Sequence, residues 1–234
     1  MNYHKMKFKY YLGFAFLILF CFIYRFIFEA KSIPPEFFNI INETTNTAGY
    51  LVYIHTATFY TAFFVFILCR CIICAYNQIL IRVSRRKVFV RNLIISLICS
   101  VLFSVCFLLP HLLYMCIKHD MTELRSINFL NLMLIQLLSY SLYYFITSNV
   151  LMLIYYLTLN RVLSQIITIG LNMTLMFGYR ILHIKSPIET TLVFTKFYAG
   201  VSESQIIFQM LPLFPIFILI VAASYLVFSG KDVL

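Results

Sequence analysis

The stretch Ile79-Leu80-Ile81-Arg82-Val83-Ser84-Arg85-Arg86-Lys87-Val88-Phe89-Val90-Arg91-Asn92 decides how this chain is arranged. It is the densest run of positive charge in the sequence, and apolar segments long enough to cross a bilayer flank it on both sides. Basic loops stay on the cytoplasmic side of a membrane. With this loop inside, alternation assigns a side to every other loop.

Composition agrees. Hydrophobic residues make up 62% of the 234 positions and charged residues 11%, whereas roughly a quarter of a soluble domain is charged. The mean hydropathy is +0.93. The predicted fold is all-α and polytopic, with about six transmembrane helices of roughly 20 residues each. They form a single transmembrane domain over residues 1–234. The net charge of +10 does not point to nucleic acid. Its basic residues sit beside spans, where they orient helices and meet the headgroups of membrane lipids, and no groove-reading module is present.

Working outward from the basic loop, the spans are expected at about 8–28, 50–74, 93–117, 129–159, 162–182 and 206–228. The first follows Lys5, Lys7 and Lys9 and reads as a retained helix rather than a cleaved signal. Arg25 near its far end is expected to snorkel to the headgroups. Cys69, Cys71 and Cys74 cluster near the end of the second span without a nearby histidine. They read as small buried hydrophobes, with no metal site. Ser96, Ser100 and Ser104 recur every fourth residue and so share one helix face, which lets a neighbouring helix come close. Pro110 is expected to bend the third span.

The run at 129–159 is too long for one untilted crossing. Ser139, Ser141, Thr147, Ser148 and Asn149 make one side of it polar, which suits interhelical hydrogen bonds or a water-filled path. In the fifth span Gly170, Thr174 and Gly178 form a second ladder of small side chains, a helix-packing or dimer face. The segment 183–205 is external, and its apolar patches at 192–194 and 197–200 are too short to cross. Short interfacial or re-entrant helices are expected there.

Charge supports the threading. Lys5, Lys7, Lys9, Arg82, Arg85, Arg86, Lys87, Arg91, Arg161 and Lys231 fall inside, against Lys31, Lys118, Arg125, Arg180, Lys185 and Lys196 outside. Both termini are therefore expected in the cytoplasm of a multi-pass plasma-membrane protein. Every acidic residue lies in a loop or tail. That weighs against proton-coupled carriers and intramembrane aspartyl proteases, which need carboxylates within the membrane. No metalloprotease, nucleophile-turn or phosphate-loop motif occurs, so the chain reads as a non-enzyme without a cofactor of its own.

The run Arg82-Val83-Ser84-Arg85-Arg86, with Arg91 where the next span opens, resembles the first cytoplasmic loop of type-2 ABC exporter permeases, small six-span subunits of the Gram-positive type. Many relatives carry a Glu and a Gly-Thr pair where Tyr76-Asn77-Gln78 stand here. The resemblance implies a loop helix, with Arg82, Ser84, Arg85, Arg86, Lys87 and Arg91, that docks into a separate cytoplasmic ATP-binding subunit. It also implies export of a substrate, peptide or lipid-like, by two permease copies or paralogues. Independently of the family, Arg82, Arg85 and Arg86 at i, i+3 and i+4 make one charged helix face, suited to an acidic partner or anionic headgroups. The alternative reading is a stand-alone immunity or accessory protein that binds a peptide or a larger complex without ATP.

Overall fold

The computed structural model describes residues 18–29, 51–72, 85–182 and 186–230. Much of the first expected span, the segment 30–50, Arg82, Ser84 and the tail 231–234 lie outside the described residues. Among the described residues there is no strand, and five helical segments are long and apolar enough to cross a membrane. The chain is an all-α, multi-pass membrane protein.

Residues 18–23 are α-helical and run into a π-turn at Tyr24–Glu29, together α1. Helix α2 spans Tyr53–Ile72 with a π-turn at Thr56–Tyr60 inside it. Helix α3 spans Arg85–Lys118, the short α4 Met121–Ser126, α5 Phe129–Thr158 and α6 Arg161–Leu182. A 3-10 turn at Pro187–Thr191 leads to the short helices α7, Val193–Tyr198, and α8, Glu203–Phe208. Helix α9, Leu213–Gly230, ends the described chain.

Ring contacts give the directions of the long helices. Tyr60 meets Phe107 at 4.4 Å and Phe64 meets Phe103 at 5.2 Å, so α2 and α3 are antiparallel. Phe107 to Tyr140 and Phe103 to Tyr144 make α3 and α5 antiparallel. Phe145 to Phe217 and Tyr156 to Phe228 make α5 and α9 parallel. Helix α5 is therefore the centre post, with α2, α3, α6 and α9 around it. Its ends are set by left-handed residues, Asn128 at φ 52° and Leu159 at φ 55°. Asn tolerates that conformation, while Leu adopts it at a cost that the Leu159 N–H to Tyr155 carbonyl bond at 2.8 Å helps offset. Asn160 then caps α6 by accepting from the Leu163 N–H at 3.1 Å, so only Leu159 and Asn160 separate α5 from α6.

Two boundaries differ from expectation. The second half of the basic stretch is helical, but it is continuous with the third span, which starts at Arg85 and not near residue 93, instead of forming a separate loop helix. Arg and Lys are good helix formers, no Gly or Pro interrupts them, and Val88 and Phe89 are buried at 1% and 5% exposure. Phe89 packs on Tyr225 and Phe228 of α9. At 34 residues, α3 is about 51 Å long, against a hydrocarbon core of about 30 Å, so it projects beyond it. The last expected span, by contrast, is broken. Residues 209–212 are turns between α8 and α9. Pro212 has no N–H to continue α8, whereas Pro215 lies in the first turn of α9, where that N–H has no intrahelical use.

The outside of the bundle is apolar, with Ile166 and Ile181 of α6 and Ile218, Leu219 and Leu226 of α9 all more than 60% exposed. The inside holds serine, threonine, asparagine and tyrosine. That inversion of the soluble pattern is what hydrocarbon demands, because it solvates apolar side chains and cannot satisfy polar ones.

Candidate functional site

The polar side chains of α5 recur at helical spacing and converge on a buried seam. Gln136, Ser139, Tyr140, Tyr143, Tyr144, Thr147, Ser148 and Asn149 are each at most 3% exposed. At one end Gln136 Nε2 donates to the Thr191 carbonyl at 2.7 Å and Ser139 Oγ to the Thr190 carbonyl. The 3-10 turn is thereby pinned over the seam, and Leu192, Val193 and Phe194 bury beside it. The first apolar patch expected in the external segment thus packs onto the bundle as a short helical cover.

In the middle, Tyr140 OH lies 3.3 Å from Thr56 Oγ1 and Tyr143 OH 3.3 Å from Thr61 Oγ1. Tyr143 also donates to Asn172 Oδ1 at 2.9 Å, and Thr147 Oγ1 donates to the same oxygen at 3.4 Å. Thr61 Oγ1 lies 2.7 Å from the Thr56 carbonyl inside the π-turn. Its single proton goes to that carbonyl or to Tyr143, not to both at full strength. Further along, Ser96 and Ser148 bond through their hydroxyls, and Asn92 Nδ2 donates to Tyr156 OH at 3.4 Å. The ladder Ser96, Ser100, Ser104 is fully buried, as its spacing implied.

Four buried polar atoms of the seam, Asn92 Oδ1, Gln136 Oε1, Tyr144 OH and Asn149 Oδ1, have no hydrogen-bond partner among the described residues. Each such atom costs roughly 1–3 kcal/mol if left so. A cavity of about 30 Å³ lies beside Tyr143, Thr147 and Asn172, with Pro187 and Ile188 also on its lining. It is large enough for one or two waters.

Arg25 departs from expectation. It is 1% exposed, with its guanidinium carbon 4.0 Å from the Tyr114 ring centroid and Nη2 3.8 Å from Met115 Sδ. The side chain turns onto α3 instead of snorkelling, because a desolvated ring face attracts a guanidinium strongly. Cys21, Cys69, Cys99 and Cys106 are buried, as small hydrophobes would be.

The basic end is divided in use. Arg85 Nη1 donates to the Ser229 carbonyl at 2.8 Å, tying the start of α3 to the C-terminal end of α9, where unpaired carbonyls favour a cation. Arg86 and Lys87 are exposed, Arg91 is half-buried, and Arg70 and Arg161 lie exposed at the same end. No described carboxylate shares it: Asp120, Glu123, Glu189 and Glu203 all lie at the opposite end. The ladder Gly170, Thr174, Gly178 faces outward, and a Cβ built at Gly170 meets nothing within 4 Å. The buried side of α6 is instead Ser164, Thr168, Asn172 and Met176. Sequence reasoning missed Thr56, Thr61 and Asn172, although Ser164, Thr168 and Asn172 also recur every fourth residue.

Comparison with protein-family models, curated proteins and solved structures found no match.

Proposed function

We propose that this chain is the permease subunit of an ATP-driven exporter, with six spans and both termini in the cytoplasm of a plasma membrane. A separate cytoplasmic ABC ATPase supplies the energy, and a second copy or a paralogue completes the path. The observation that carries this reading is the basic end, free of described carboxylates, where Arg86 and Lys87 project from a helix that outruns the bilayer. A long helix with an exposed cationic tip is a lever that an acidic partner surface could grip and move. The wide apolar exposure of α6 and α9 supports pairing with another permease.

The test is co-purification of the tagged chain with an ATPase encoded beside it. Reversing Arg86 and Lys87 to Glu leaves the Arg85 to Ser229 tie in place. Exposed ion pairs contribute roughly 0.2–1 kcal/mol each, and reversal replaces attraction by similar repulsion, so the double change should weaken the complex by roughly 1–4 kcal/mol. Undiminished binding by the correctly inserted variant would refute coupling through this tip. One observation favours the stand-alone accessory reading: the cavity beside the seam has room only for water. That reading takes over if no ATPase accompanies the unaltered chain.

A further inference from the structure

At the end of the bundle opposite Arg86 and Lys87, an apolar groove of about 360 Å³ runs between α3 and α5. Leu108, Leu109, Leu112, Met133, Leu134 and Leu137 supply most of its walls. Between Val105 and Leu112 it follows about 10 Å of helix, which fits within one leaflet of a bilayer core about 30 Å thick. Its upper rim is Leu130, and Leu130 also borders a second recess of about 170 Å³ whose polar lining is Arg125, Asn128 and Asn131. The two recesses adjoin at Leu130, the lower one walled by apolar side chains alone and the upper one by apolar and polar side chains together.

The upper recess is mostly apolar, and Arg125, Asn128 and Asn131 on its lining bring to it the kind of donors that an anion needs. Arg125, Asn128 and Asn131 are exposed. The Arg125 guanidinium has no carboxylate partner among the described residues. The nearest acid in sequence, Glu123, is engaged by His119 at 3.6 Å. A guanidinium and two carboxamides are donors arranged around a space open to the interface, and such donors suit phosphate oxygens. A groove parallel to the helices that adjoins a recess with these donors on its lining has the amphipathic outline of a phospholipid. We propose that this composite groove binds one anionic phospholipid, its acyl chain along Leu109, Leu112 and Leu134 and its phosphate on Arg125, Asn128 and Asn131. The inference rests on membrane insertion alone and is independent of any exporter role.

The chain contains no tryptophan, so one introduced Trp reports its own surroundings. Leu134→Trp and Leu109→Trp, at 66% and 38% exposure, place reporters in the groove, and Ile218→Trp, 62% exposed on α9, faces bulk lipid. The full-length chain is reconstituted in phosphatidylcholine doped with brominated phosphatidylglycerol, or with brominated phosphatidylcholine as the neutral arm. The expected result is that the groove reporters favour phosphatidylglycerol about fivefold, the preference one cation near the surface confers, while Ile218→Trp shows none. Arg125→Gln should bring the groove preference to about one. Native mass spectrometry of the unaltered chain, retaining phosphatidylglycerol over phosphatidylcholine, gives a readout that needs no reporter. Equal quenching by both lipids would overturn the proposal. So would absence of quenching by either, which would mean that protein, such as a second copy, covers the groove.

Discussion

Replacing Asn172 with Leu tests whether the seam holds α5 to α6. The carboxamide oxygen accepts from Tyr143 at 2.9 Å and from Thr147 at 3.4 Å, and Asn172 is 7% exposed. Leucine fills similar space and removes the acceptor. Part of the loss is recoverable: Tyr143 can turn to Thr61, 3.3 Å away. Thr147 can turn to a carbonyl of its own helix, as Ser100, Ser104 and Thr168 already do. What remains is about one interhelical hydrogen bond, roughly 0.6 kcal/mol on average and up to about 1.7 within a membrane, plus residual strain of rearrangement. The expected destabilisation is about 1–2 kcal/mol, read as a shifted midpoint in denaturing-detergent titration. A cycle with Tyr143→Phe should return a coupling of about 0.6–1.7 kcal/mol. Gly170→Leu, on the opposite face of the same helix, is the control and should stay within about 0.5 kcal/mol in the monomer. If Asn172→Leu is silent while Gly170→Leu is destabilising, the assignment of buried and outer faces is wrong.

Arg85→Met should loosen the end of α9 by about 1 kcal/mol, seen as roughly fivefold faster amide exchange near Ser229 with little change at Ser224. In a background lacking reactive thiols, single cysteines at Thr122 and Ser202 should take an impermeant label from outside, and one at Ser229 should not; external labelling at Ser229 would reverse the proposed orientation. Gly170→Leu combined with Gly178→Leu should weaken self-association if that ladder is the dimer face, and an unchanged oligomer in cross-linking would move the interface elsewhere.

The spans were legible because hydropathy over about 20 residues is a coarse signal that side-chain detail does not disturb. The serine ladder of α3 and, except for Ser141, which is only half-buried, the polar side of α5 were legible for a related reason: a fixed helical period puts such residues on one face, and lipid cannot satisfy them. The two faces of α6 were not legible. Ladders of small or polar residues four apart run along both, Ser164-Thr168-Asn172 and Gly170-Thr174-Gly178. The first alone carries a carboxamide, which gains from burial opposite hydroxyls on α5, while small side chains alone only permit approach. The join of Arg85–Asn92 to the third span was not legible, since nothing local tells that Phe89 will find Phe228. Arg25 was misplaced for the same reason. Its partner Tyr114 lies 89 positions away in the chain, and only the fold brings them together.

The pinning of the seam by Thr190 and Thr191 has a consequence for how the chain enters the membrane. Gln136 and Thr191 are 55 residues apart. At roughly 5–20 residues per second of synthesis, Gln136 waits about 3–11 s for its acceptor to be made. During that interval α5 carries an amide and a serine hydroxyl that hydrocarbon cannot solvate, and Asn172 has also yet to arrive for Tyr143. Thr56, Thr61 and Ser96 are already available on α2 and α3. Helix α5 is therefore received by half of its final partners and must be sheltered on its other side, by the insertion machinery or by water, until α6 and the cover follow. Truncation before Thr190 should leave a chain that inserts yet is held by, and degraded with, its escort.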